Sequence, residues 1–175
     1  MTQQFRSIYE KRISLQNNFL VYEPCRIKYE SLSFVGRVSP KIFEITENDD
    51  YIVPKEHFNH QKLTYTPDWV LPARFSHNGK DIFIESKGGS TVLMEDIMKM
   101  GTVMTENPDL DIRFLLERGT AKPGKRTATG SYKSYKSKGL VTEWLSAGNI
   151  QYAIGYKIPD NWLNLEVINE YRTAN

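Results

Sequence analysis

An apolar run that ends in paired charges constrains this chain more than any other feature. Asp81-Ile82-Phe83-Ile84-Glu85-Ser86-Lys87 is closed by Gly88-Gly89. It follows Tyr65-Thr66-Pro67-Asp68-Trp69-Val70-Leu71-Pro72, with a turn at His77-Asn78-Gly79 between the two. Two short apolar runs separated by turn residues predict a β-hairpin. Residues two apart in a strand face the same side. Glu85 and Lys87 therefore share a face with Phe83, and Ile82, Ile84 and Ser86 share the other. Antiparallel pairing across the hairpin brings the Asp68 carboxylate beside that of Glu85.

The rest of the chain predicts an α/β fold around this hairpin. Residues 4–18 read as a helix, with Phe5, Ile8, Tyr9 and Ile13 at helical spacing and Leu15 as an imperfect member. Residues 19–22 read as extended. Between 25 and 62 the signals are short and β-like, at 26–34, 41–46 and 51–53, punctuated by Gly36, Pro40 and Pro54. Ser90 is placed to cap a helix running to about Glu106, which Asn107-Pro108 ends. Asp111–Leu116 is then a buried strand, and a helix leading into such a strand is an α/β signal. A short helix at 140–147, a strand at 150–157 and a tail from Pro159 follow. Residues 118–138 read as a Gly-, Ser- and Thr-rich basic loop without an acidic residue.

Length and composition bound the reading. At 175 residues the chain is expected to be one domain, with a core large enough to need no staple. The single cysteine, Cys25, excludes an intramolecular disulfide and a Cys-rich metal site, and fits a reducing compartment. The N-terminus lacks the apolar stretch of a secretory signal, and no apolar run approaches a membrane span. A net charge of +2 says little about partners, so the distribution of charge has to be read instead. His57, His60 and His77 read as surface residues, and Met94, Met98, Met100 and Met104 as core filler.

Two carboxylates converging at a sheet rim suit a hard divalent cation, which takes oxygen ligands and shares them with substrate phosphates. The expected ligands are Asp68, Glu85 and the backbone carbonyl of Ser86. The expected ion is Mg2+ or Mn2+, with two ions roughly 4 Å apart able to divide the work. Lys87 would orient the attacking water or offset charge at phosphorus. Taken alone, Glu-x-Lys on a strand is usually a solvated pair and Pro-Asp is usually a turn. The conjunction of both, in this order and spacing, is far more specific.

The flanking residues carry a resemblance. Tyr65 to Pro72, Ile84 to Gly88, Glu106 to Phe114, and Glu143-Trp144-Leu145 through Ile158-Pro159-Asp160-Asn161-Trp162 resemble, in order, the phage endonuclease I family of Holliday junction resolvases. That family lies within the PD-(D/E)xK nuclease superfamily. Arg6-Ser7-Ile8-Tyr9-Glu10 resembles its N-terminal helix. The resemblance implies a restriction-endonuclease-like fold, a mixed β-sheet flanked by helices. It implies Asp68 and Glu85 as metal ligands, Lys87 as the catalytic lysine, and Glu10 as a further catalytic glutamate. It also implies cleavage of branched DNA by a strand-exchanged homodimer in which Glu10 acts with the partner's carboxylates. The cytoplasm of an infected bacterium is the implied location. The segment 31–62, where exchanged strands are expected, is longer here than that family's usual link.

DNA contact is expected along the basic run, at Arg118, Lys122, Lys125, Arg126, Lys133 and Lys136, with Arg6, Lys11 and Arg12 on the first helix adding to it. Such contacts position the duplex without reading its sequence. Tyr132 and Tyr135 are available for stacking on bases, although tyrosines more often pack. Two alternatives stay open: a site-specific or nicking endonuclease of the same fold, and a non-catalytic DNA-binding protein.

Overall fold

A computed structural model describes residues 5–34, 44–45, 51–52, 58–135 and 138–174, with backbone alone at 31–34, 44–45, 51–52 and 58–60. The chain opens with α1 (Ile8–Gln16) and β1 (Val21–Tyr22), then β2 (Ile27–Phe34), β3 (Glu44–Ile45), β4 (Tyr51–Ile52) and β5 (Phe58–Tyr65). β6 (Trp69–Leu71), β7 (Ile82–Lys87) and β8 (Thr91–Leu93) precede α2 (Met94–Glu106). Then come β9 (Asp111–Leu116), β10 (Lys122–Arg126), β11 (Tyr132–Ser134), α3 (Val141–Ala147), β12 (Tyr152–Ile154) and α4 (Leu165–Ala174).

Among the described residues five strands form the central sheet, in the order β1-β6-β7-β9-β12. The pairs β1–β6 and β6–β7 are antiparallel, whereas β7–β9 and β9–β12 are parallel. The sheet is therefore mixed, as expected. Parallel neighbours need crossovers, which α2 and α3 supply.

Alternation on the central strands divides the core in two. Ile82 and Ile84 of β7 and Leu115 of β9 pack with Tyr9, Ile13, Trp69, Trp162 and Ile168. Ile112, Phe114 and Leu116 of β9 pack with Val92, Met100, Val103 and Leu145, with Phe83 of β7 against them. One face of the sheet is thus covered by α1 and α4, the other by α2 and α3.

Several local expectations are corrected. Ser90 does not cap α2, because residues 91–93 pair in parallel with Lys122–Gly124 and the helix begins only at Met94. The β-branched Thr91 and Val92 favour that strand, but their partner lies thirty residues on, beyond the reach of local reading. The basic stretch is not an open loop. Its β10 and β11 pair antiparallel, from Gly124↔Ser134 to Arg126↔Tyr132. The tail contains α4, whose Ile168 is fully buried. Ile8 does not join the apolar face of α1, and Met98 is not core filler, since both are well exposed. Met100 is buried, with Met94 and Met104 packed partly against the core.

Flanking and entering the 31–62 segment, β2 and β5 pair antiparallel in one ribbon, from Ile27↔Tyr65 to Phe34↔Phe58. β3 and β4 form a two-stranded pair of their own. The remaining strand expectations at 41–43, 46 and 53, and the side chains of His57 and His60, lie outside the described residues. So does Lys136. Among the described residues no helix is long and apolar enough to cross a membrane.

Ile84 lies on the central strand and has no exposed surface. Ile84→Ala should lower unfolding free energy by about 2–5 kcal/mol, the usual cost of an unfilled core position. Urea titration of the two proteins measures this, and a loss below ~1 kcal/mol would contradict close packing on this face.

Candidate active site

The hairpin register places the two motif carboxylates. Trp69 pairs with Ile84, so Asp68 comes opposite Glu85 as β6 begins. Asp68 and Glu85 are both buried, at 7% and 4% exposure. Ser86 lies between the charges of β7 and serves Asp68 directly: its backbone N–H and its hydroxyl both donate to Asp68 Oδ2 at 2.8 Å. That is an observed role for Ser86 beside the metal-binding carbonyl expected from sequence.

Both oxygens of Glu85 are engaged. The Lys87 ammonium lies 2.9 Å from Oε1, and the buried Tyr65 hydroxyl donates to Oε2 at 2.7 Å. Lys87 also donates to Asp96 Oδ2 at 2.8 Å. Burial alone would push the Lys87 ammonium down, but Glu85 and Asp96 outweigh it and hold the lysine protonated, above its ordinary range. Burial, reinforced by the neighbouring Glu85, pushes the Tyr65 phenol far up, so it stays a donor. Burial first, and the charge of Glu85 second, raise Asp68 from 3.8 to about 6, despite the bonds from Ser86 and the nearby Lys87.

Glu10 is not the exposed helix glutamate that its neighbours Lys11 and Arg12 would suggest. Ser7 caps α1, its hydroxyl accepting the Glu10 N–H at 3.1 Å. The Glu10 carboxylate is buried and accepts from the Arg6 backbone N–H at 2.8 Å and from the Tyr22 hydroxyl at 2.9 Å. The Arg6 guanidinium in turn contacts Asp68 Oδ1 at 3.1 Å and Glu23 at 2.6 Å. Phe5 and Tyr22 pack on Trp69, with ring centroids 5.8 and 4.9 Å away. Within one chain, then, Arg6 links Glu10 to Asp68.

The expected DNA contacts divide. Arg118, Lys122, Lys125, Arg126 and Lys133 are exposed on or beside the β10–β11 hairpin, and Lys11 is exposed on α1. Arg12 is tied to the Tyr156 hydroxyl at 2.8 Å. Arg6 is held against the carboxylates rather than projecting free.

Two residues at the centre of the site escaped the sequence reading. Tyr65 stood in the motif without a role, because nothing local says that its hydroxyl reaches Glu85. Asp96 had no role in the sequence reading either; it lies in the first turn of α2, where acidic residues are common. Only the fold brings it to Lys87.

A hard divalent cation fits this donor set. Two carboxylates buried side by side repel one another, and a cation relieves that repulsion while accepting their oxygens. Among the described residues no three His, Cys, Asp or Glu side chains gather into a metal cluster. Asp68 and Glu85 would therefore need backbone, water or substrate oxygens to complete a coordination sphere.

Two predictions follow from the electrostatics. The folded chain holds the Asp68 proton more tightly than the unfolded chain, so in EDTA stability should fall as pH rises from about 4 to about 6 and stay low above. Asp68→Asn should flatten that fall and be more stable than wild type at pH 8 by about 1–3 kcal/mol, read by urea unfolding at both pH values. Equal slopes for the two proteins would show that Asp68 ionisation carries no cost. Separately, Asp96→Asn frees the Lys87 ammonium from one partner. Turnover should drop roughly 10–100-fold, as for other outer partners of active-site groups, with metal affinity by calorimetry nearly unchanged. A large loss of metal affinity instead would place Asp96 among the ligands.

No curated protein matches the sequence closely enough to count as a relative. A family model described as Phage endonuclease I matches residues 2–171, nearly the whole chain. The chain belongs to the phage endonuclease I family.

Proposed function

We propose that the chain is a metal-dependent, structure-selective DNA endonuclease that resolves four-way and other branched junctions as a homodimer. Family membership already makes it a nuclease that acts on DNA. The observation that supports the metal-dependent part of this reading is the burial of Asp68 and Glu85 together, with the Lys87 ammonium 2.9 Å from Glu85. Such a placement stabilises nothing by itself, since one buried carboxylate raises the cost of ionising the other.

Asp68 and Glu85 would hold the cation, Mg2+ or Mn2+, as one ion or two. When bound, it lowers the pKa of a water and offsets charge on the phosphoryl and leaving oxygens. The chain's own groups do the rest. Tyr65 and Ser86 fix the two carboxylates by hydrogen bonds. Lys87, kept charged by Glu85 and Asp96, faces the developing negative charge at phosphorus. The products are a 5′ phosphate and a 3′ hydroxyl. Glu10 is proposed as a further catalytic carboxylate, which Arg6 already joins to Asp68. Exposed Arg118, Lys122, Lys125, Arg126 and Lys133 would contact phosphates, giving affinity that weakens steeply with salt. A homodimer would supply two such sites, one for each strand cut.

A fixed four-way junction and a linear duplex of matched sequence, each with Mg2+ or EDTA, test this against a Glu85→Ala variant. Symmetric junction cleavage that needs metal and disappears in Glu85→Ala is expected. Cutting of both DNAs at equal rates would leave a nicking or site-specific endonuclease. Binding without cleavage by wild type would leave a DNA-binding protein.

A further inference from the structure

A cleft of about 550 Å3 opens beside Lys87, between the Gly88-Gly89 turn, β8, Asp96 and the ring of Tyr132. None of the catalytic roles above uses its far wall. That wall is built with care. Gly124 of β10 lies opposite Ser134, and a Cβ there would overlap Thr91 Cγ2 and the Lys133 carbonyl. Absence of a side chain is what lets β10 lie against β8. The Thr91 and Ser134 hydroxyls then bond across the junction at 2.5 Å. Tyr132 shares a strand face with Ser134, so the same contacts that dock the hairpin aim Tyr132.

Tyr132 is 56% exposed although its hairpin is docked against β8. It is nonetheless held in place. The Arg126 guanidinium, its cross-strand partner, lies 5.6 Å from the ring centroid and donates to its hydroxyl at 3.3 Å. The opposite wall offers little bulk at Gly89, where nothing lies within 4 Å of the missing Cβ. Asp96 does not make the cleft repel an anion, since Lys87 at 2.8 Å and Lys99 at 3.8 Å balance it. An exposed, fixed aromatic ring backed by a guanidinium, next to a phosphate-handling lysine, is the chemistry that stacks a nucleobase.

We propose that this cleft is a base subsite: it takes the nucleobase of a nucleotide adjoining the scissile phosphate, unstacked from its helix, on the ring of Tyr132. A base beside a branch point costs less to unstack than one inside a continuous duplex, so the subsite favours branched or distorted DNA without reading sequence. The inference rests on the DNA-endonuclease reading and adds a specificity residue to it.

The test uses the full chain on a four-way junction carrying 5-iodouracil at single positions around the branch, with Ca2+ replacing Mg2+ to slow cleavage. Irradiation cross-links iodouracil to stacked aromatic rings. A cross-link mapped by mass spectrometry to Tyr132, from one or two positions next to the cleavage site, is expected. Tyr132→Ala should weaken junction affinity roughly 5- to 100-fold, the span of one lost stacking contact, and Tyr132→Phe should recover most of it. Gly124→Val, which keeps the tyrosine but displaces the hairpin, should lose the cross-link while circular dichroism stays unchanged. Junction cleavage by wild type with no cross-link at Tyr132 from any position overturns the subsite and leaves the nuclease reading intact. Unchanged affinity in Tyr132→Ala does the same. A wild type that binds no DNA overturns both.

Discussion

The opposition of Asp68 and Glu85 across one antiparallel register is the constraint around which the rest of the molecule is arranged. Two carboxylates buried side by side are unstable neighbours, and the surroundings are organised to hold them. Ser86 donates twice to Asp68, Tyr65 donates to one oxygen of Glu85, and Lys87 sits on the other. The partners arrive from several pieces of architecture. Ser86 and Lys87 come with β7 itself. Tyr65 is delivered by the end of the β2–β5 ribbon, and Asp96, which steadies Lys87, by the first turn of α2. The elements that flank the sheet therefore do more than cover it: they balance the charges at its rim.

The aromatic cluster near the N-terminus extends that arrangement. Phe5 and Tyr22 pack on Trp69, the residue after Asp68, while Tyr22 and Arg6 hold Glu10. α1 is anchored from its other side by the Tyr9 hydroxyl, which donates to the carbonyls of Leu115 and Gly155. A helix with a weak apolar stripe is thus seated by specific polar and aromatic contacts rather than by a broad greasy face. That explains why Ile8, which helical spacing assigns to the buried side, stays in solvent.

The hairpin formed by β10 and β11 shows how a basic run acquires shape. Glycine, serine and threonine with many lysines suggest a solvated loop, and in isolation such a sequence has little reason to order. Docking against β8 supplies that reason, through backbone pairing and the Thr91–Ser134 contact. The cations then stand on a surface rather than on a coil, and the same docking presents Tyr132 to the space beside Lys87.

Much of the site was legible in the chain because it is local. Asp68, Glu85 and Lys87 lie within twenty residues, and strand alternation with a single turn is enough to bring them together. The strand at Asp111–Leu116 was legible in its own apolar residues and is buried on both faces, whereas the mixed sheet was expected from the family resemblance. The contacts decided only by the tertiary structure are those between distant segments. Asp96 reaches Lys87 because α2 folds back over β7, and the Ser90 cap fails because residues 91–93 find a strand partner far along the chain. Local spacing sets which side chains share a face. It does not set which remote element comes to rest against that face, because that choice depends on the packing of the whole core and on where buried charges can be satisfied.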